Sequence, residues 1–151
     1  MIGFKMNKYT RKGSIVVYTC DMKGVAMKKA DKKVTKFVCV NFRVEGYHYY
    51  KEAGEKEELE DVSFLQYKHR HMFHFTVKVE VTENNREIEF IQLLHKCQSF
   101  FSNNTISNSG KSCEMFCDEL YEKLVEVYGK DRKYFIACYE DGENGCEATY
   151  E

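Results

Sequence analysis

The chain contains no proline and no tryptophan, although average usage would place roughly seven prolines in a chain of this length. With no proline and no low-complexity stretch, there is no proline-rich linker to separate two domains. No apolar run approaches the roughly 18 residues of a membrane-spanning helix, so no membrane partner is expected. The opening segment MIGFKMNKYTRKG lacks the apolar core of a secretory leader, and a cytoplasmic location is the expectation. Nothing repeats at a fixed period, which excludes solenoid and propeller architectures. Charge of one sign is also lacking. The formal net charge is -1, and 43% of residues are apolar, which is too neutral and too apolar for a disordered chain. The 151 residues amount to about one domain.

What is present is less ordinary. Seven cysteines and five histidines stand out. An odd number of cysteines in a chain read as cytoplasmic points to free thiols rather than a disulfide framework. Charge is uneven along the chain. Residues 1–36 carry ten Lys/Arg against two Asp, 51–61 carry six acids against two Lys, and five acids with no base follow from Glu140 onward. The basic residues 1–33 read as an amino-terminal extension. Such an arm attracts phosphates, but a solvated surface extension is the preferred reading, and nucleic acid is not expected as a partner.

From residue 34 the periodicities are clear. Val38, Val40, Phe42 and Val44 alternate with polar or small neighbours, as do Phe73, Phe75, Val77, Val79 and Val81. Each set predicts a strand with one buried face. The 20 or so residues between them read as a long irregular segment, of the kind that often serves as a lid. Glu83-Asn84-Asn85 marks a turn. Phe90, Leu94, Cys97 and Phe101 follow at helical spacing, and SNNTISNSGK reads as the loop that ends this helix. Ser112 stands at an N-cap position before a second apolar stripe of Cys113, Phe116, Cys117, Leu120, Leu124 and Val127. Gly129 stops that helix. Two short strands, 133–140 and 146–150, flank a turn of Asp-Gly-Glu-Asn-Gly. The order ββααββ predicts an α+β fold, an antiparallel four-stranded sheet with two helices on one face.

The histidines fit that scheme. His69 and His71 share a parity with Phe73 and Phe75, and His48 shares one with Phe42 and Val44. Antiparallel pairing of the two strands would bring three imidazoles together at the rim of the core. Three neutral histidines with an open fourth position are the ligand set of a catalytic zinc site. His74 has the opposite parity and His95 lies in a helical stretch, so neither is assigned to the site. Cys97 and Cys117 fall on helix stripes and read as core thiols.

Five segments, in order, resemble the 6-pyruvoyltetrahydropterin synthase and 6-carboxytetrahydropterin synthase family. Phe42-Arg43-Val44-Glu45-Gly46-Tyr47-His48 resembles its first-histidine segment, F-x-F-x-A-x-H. His69-Arg70-His71-Met72-Phe73 resembles its H-G-H-N-Y, and Arg86–Phe90 is similar to its G-x-V-x-D-F. Lys111-Ser112-Cys113-Glu114 resembles its P-T-[SA]-E. Tyr139-Glu140 followed by Cys146–Tyr150 resembles the terminal E-T and A-x-Y. The resemblance covers about residues 38–151. It implies a tunnelling-fold domain over 34–151 that assembles into a homo-oligomeric β-barrel, and zinc on His48, His69 and His71. It implies that Glu140, helped by Ser112 and Cys113, anchors a pterin or purine-like ring by accepting its N–H donors. The implied activity is that of a lyase acting on 7,8-dihydroneopterin triphosphate or a related pterin, with a place in tetrahydropterin or queuosine biosynthesis. Two family features have no counterpart. No cysteine lies in 49–68, where Leu65 stands at the nucleophile's place, and Ser102–Lys111 has neither the Asp nor the His of the family's L-D-H segment. Cys113 is the thiol placed to substitute for the missing nucleophile. The alternative is a protein that binds a purine or pterin nucleotide without converting it.

Overall fold

In a computed structural model of the chain, residues 34–101 and 105–151 are described; the basic extension 1–33 lies outside them. The two alternating segments form long strands, β1 (Lys36–His48) and β2 (His69–Val81), paired antiparallel in an unbroken register from Lys36↔Val81 to His48↔His69. The alternation dictates this match. Val40, Phe42, Val44, Phe73, Phe75, Val77 and Val79 are all buried, and a one-residue slip would turn either set to the other face.

Between these strands, 49–68 is not the irregular segment expected. It holds two 3₁₀ segments, Lys51–Gly54 and Glu57–Gln66. Ala53 of the first is buried, and the Tyr50 N–H donates to the Leu65 carbonyl at 2.8 Å. Two short turns with their own hydrogen bonds satisfy backbone groups that a free loop would leave to water.

The first helix, α1 (Phe90–Ser99), starts on Glu89, whose carboxylate accepts from the Ile91 N–H at 2.8 Å. Its buried face differs from the expected stripe. Leu93 and Cys97 are fully buried, Leu94 and Phe101 are partly so, and Phe90 is 58% exposed. The stripe is rotated because the helix docks over β1 on its 93/97 side.

Ser102–Lys111, expected as a loop, contains strand β3 (Thr105–Ser109), which runs parallel to the last residues of β1. Ile106 supplies its buried side chain, and the Tyr49 N–H donates to the Ser109 carbonyl at 3.1 Å. Gly46 makes this approach possible. A Cβ there would sit 2.7 Å from the Phe73 ring and 2.8 Å from Ile106.

The second helix, α2 (Cys113–Tyr128), begins on Ser112, whose hydroxyl accepts from the Met115 N–H, and ends at Gly129 with φ +84°. It buries Cys113, Phe116, Cys117, Leu120 and Leu124 as expected, whereas Val127 is exposed. A hairpin of β4 (Tyr134–Glu140) and β5 (Asn144–Tyr150) completes the sheet.

The fold is α+β. Its sheet order is β3-β1-β2-β4-β5, so among the described residues the sheet is five-stranded and mixed, not four-stranded and antiparallel. Among those residues it is also open and does not close a barrel. Helix α1 lies over β1 and α2 over β4 and β5, and one apolar cluster joins them to the sheet. Among the described residues, no helix is long and apolar enough to cross a membrane.

A polar clamp ties the β2–α1 turn to the start of β4. The Glu87 carboxylate accepts from the backbone N–H groups of Thr82 and Glu83, and from Arg132 Nη1 at 2.9 Å; the same Arg132 nitrogen donates to the Glu80 carbonyl. The backbone donors of Glu83 and Thr82, with Arg132 behind them, hold the Glu87 pKa down to about 2. A carboxyl whose pKa is depressed by folding stabilises the fold above its unfolded value and loses that contribution as pH falls toward the folded one. Glu87→Gln is therefore expected to lower the melting temperature at pH 7. The gap to the parent should shrink as pH falls from about 4.5 to about 2. A gap that stays constant over that range in thermal melts would show that the clamp contributes nothing through its charge.

Candidate metal centre

The in-register end of β1 and β2 places His48 directly opposite His69 and puts His71 two residues further along the same face. Their rings lie 4.5 Å (His48–His69), 5.1 Å (His48–His71) and 5.0 Å (His69–His71) apart, centroid to centroid, each pair edge-on. One nitrogen from each ring falls within 4.8 Å of the other two, so the cluster could hold a metal ion.

The outer side of each ring is tied to an oxygen. His69 Nδ1 is 2.7 Å from the Tyr67 carbonyl, His71 Nδ1 is 2.6 Å from Asp141 Oδ2, and His48 Nδ1 faces the Lys111 carbonyl at 3.5 Å. A carbonyl or carboxylate can only accept, so the ring proton belongs on Nδ1 and the lone pair on Nε2. The Nε2 atoms of His48 and His69 are buried without a hydrogen-bond partner. Unpaired acceptors turned inward, with the opposite nitrogens donating to oxygens, are how metal-binding histidines are held. Burial is the main influence on His48 and lowers its pKa, against the opposing pull of Glu140. That favours the neutral, ligating form.

Asp141 is the residue the sequence pattern does not reveal. It follows Glu140 in what reads only as an Asp-Gly turn. Its carboxylate accepts from the His71 Nδ1–H with one oxygen and from the Met72 N–H with the other, and its own N–H donates to the Met72 carbonyl. The Met72 N–H first, and His71 second, hold its pKa below the usual carboxylate range. Its φ of 54° is the left-handed conformation that Asp tolerates better than most residues. Replacing Asp141 by Asn is expected to weaken metal binding by about 10–100-fold, as read by competition with a chromophoric chelator. Unchanged affinity would mean that the ring needs no such support.

Glu140 sits across the ladder from Phe73, on the imidazole face. Its oxygens are 3.3 Å from His48 Nε2 and 3.6 Å from His71 Nε2. These are close approaches, but they leave the His48 nitrogen without a hydrogen bond. Cys113 opens α2, is buried, and places its Sγ 3.8 Å from Glu140 Oε1. Ser112 spends its hydroxyl on the helix cap. Burial raises the Cys117 and Cys97 thiols, Cys97 to about 12, and hydrogen bonding to Cys113 with burial raises Cys138. These three thiols are poor nucleophiles as a result.

Two hollows lie apart from the three histidines, none of which lines either. One, of about 190 Å³, lies among the end of α1, β3 and α2 and includes Lys111 and Phe116. The other, of about 360 Å³, lies on the opposite sheet face beside Arg43 and His74. No protein-family profile matches the chain, and no characterised protein matches its sequence.

Proposed function

We propose that residues 34–151 form a divergent zinc-dependent lyase of the 6-pyruvoyl/6-carboxytetrahydropterin synthase type, acting on 7,8-dihydroneopterin triphosphate or a related pterin. The observation that carries this reading is the set of three imidazoles at one sheet end, each with its outer nitrogen against an oxygen and two with unpaired inner nitrogens. Three neutral histidines suit zinc. When bound, the metal would act as a Lewis acid on the hydroxyls or carbonyl of the pterin side chain. The chain's own groups would do the rest. Glu140 would accept the donors of a ring edge, and Cys113, beside it, would be the thiol available to move a proton. The family's oligomeric barrel would form by edge pairing of open sheets such as this one.

A second reading, ring binding without turnover, is favoured by the segment 49–68. It folds into 3₁₀ turns with Leu65 at the nucleophile's place and no cysteine. Metal analysis of the purified full chain, followed by incubation with dihydroneopterin triphosphate and chromatography, separates the two. Turnover that disappears in His69→Ala supports the lyase. Zinc with tight ligand binding and an unchanged substrate supports the binding protein. A chain that takes up no metal rules out the zinc lyase.

A further inference from the structure

The surroundings of Glu140 are not those of a carboxylate reserved for a ligand. Both of its oxygens face ring nitrogens, Oε1 toward His48 Nε2 and Oε2 toward His71 Nε2. With the outer nitrogens against the Lys111 carbonyl and the Asp141 carboxylate, the inner nitrogens of the neutral rings carry lone pairs. Toward neutral rings the carboxylate therefore points at two acceptors. Among the described residues, no lysine or arginine pairs with it. Acceptor facing acceptor is repulsive unless positive charge lies between them.

The spacing identifies what fits. Ligand atoms bound tetrahedrally at about 2.0–2.1 Å from a metal sit about 3.3 Å from one another. The contacts at 3.3 Å from Oε1 to His48 and 3.6 Å from Oε2 to His71 match that spacing. We propose that Glu140 is the fourth protein ligand of the metal centre, joining His48, His69 and His71 around a divalent cation; this deepens the three-histidine reading and rests on it. Three neutral imidazoles and one carboxylate reduce the charge of a divalent ion to +1. They suit zinc and its borderline neighbours rather than magnesium or calcium. Side-chain exposure of 29% leaves Glu140 room to swing off the ion. With one oxygen on the metal the carboxylate cannot pair both oxygens with a ring edge, so a ring that takes Glu140 bidentately would open a coordination position on the metal.

The test is cobalt(II) titration of the full chain, followed by its visible absorption and by competition with a chromophoric chelator. Parent, His69→Ala, Glu140→Ala and the near-isosteric Glu140→Gln are compared. The expected result is one tightly held cobalt in the parent, and loss of binding in His69→Ala. Both Glu140 variants should bind about 10-fold or more weakly, with a shifted spectrum as water replaces the carboxylate. If His69→Ala loses cobalt while both Glu140 variants keep the parent's affinity and spectrum, Glu140 is not a ligand and the three-histidine centre stands. If the parent takes up no cobalt, or His69→Ala retains it, both readings fall together. The contacts of Glu140 would then be ion pairs with protonated rings.

Discussion

Replacing His71 by alanine is expected to lower metal affinity by more than about 100-fold, beyond what loss of a residue supporting a ligand costs. The substitution removes one of three converging nitrogens and with it the ring that Asp141 holds at 2.6 Å. Asp141 is then left without its imidazole partner and Glu140 keeps only His48, so the remaining ligands also lose part of their frame. His74→Ala and His95→Ala are the matched controls. His74 pairs with Arg43 across β1 and β2 on the opposite sheet face, and His95 is exposed on α1. Both should retain the parent's metal content after dialysis, measured by atomic emission. Equal retention in His71→Ala would remove the basis for a metal centre at this end of the sheet.

Phe73→Ala is expected to destabilise the fold by about 3–5 kcal/mol, the range for removing a buried aromatic ring. The ring is fully buried. Its centroid lies 5.3 Å from His48, 6.0 Å from His71 and 5.4 Å from Phe116, and Gly46 brings the β1 backbone against its edge. The cavity opened by the substitution would be walled by a strand backbone and a helix, which cannot collapse into it cheaply, so the transfer and cavity costs should add. The same ring separates the imidazoles from the apolar cluster, so metal affinity should fall with stability. Urea denaturation of the parent and the variant gives the number. A loss below about 1.5 kcal/mol would place Phe73 in a region that relaxes freely, at odds with its contacts.

Much of the site is legible in the amino-acid sequence. The period of two is a property of the extended backbone, so the shared parity of His48, Val44 and Phe42, and that of His71, Phe73 and Phe75, already assigns a face to each imidazole. Antiparallel pairing is the cheapest closure of two such strands. Matching of their apolar faces puts His48 and His69 on one side of the sheet, and the observed register sets them opposite each other. Glu140 shares its parity with Ile136 and Cys138, so its face is also implied. Ser112 and Gly129 mark both ends of α2 by local chemistry alone.

The rest was decided by tertiary structure. A helical stripe of three or four apolar residues is compatible with several rotations, and docking over β1 selected Leu93 in place of Phe90. The polar run Thr105–Ser109 has no strong alternation. It became a strand because the end of β1 offered an unpaired edge and Gly46 left room for Ile106. Asp141 reads as a turn residue, and its role depends on the β2–β4 register that sets the hairpin turn beside Met72 and His71. Local sequence therefore determined which residues of β1 and β2 face the core and where α2 begins and ends, because backbone geometry and capping act over a few residues. The support of His71 by Asp141 and the distances from Glu140 to two imidazoles came from the tertiary fold, because those contacts join residues about 70 or more positions apart, and only strand register and helix docking set such separations.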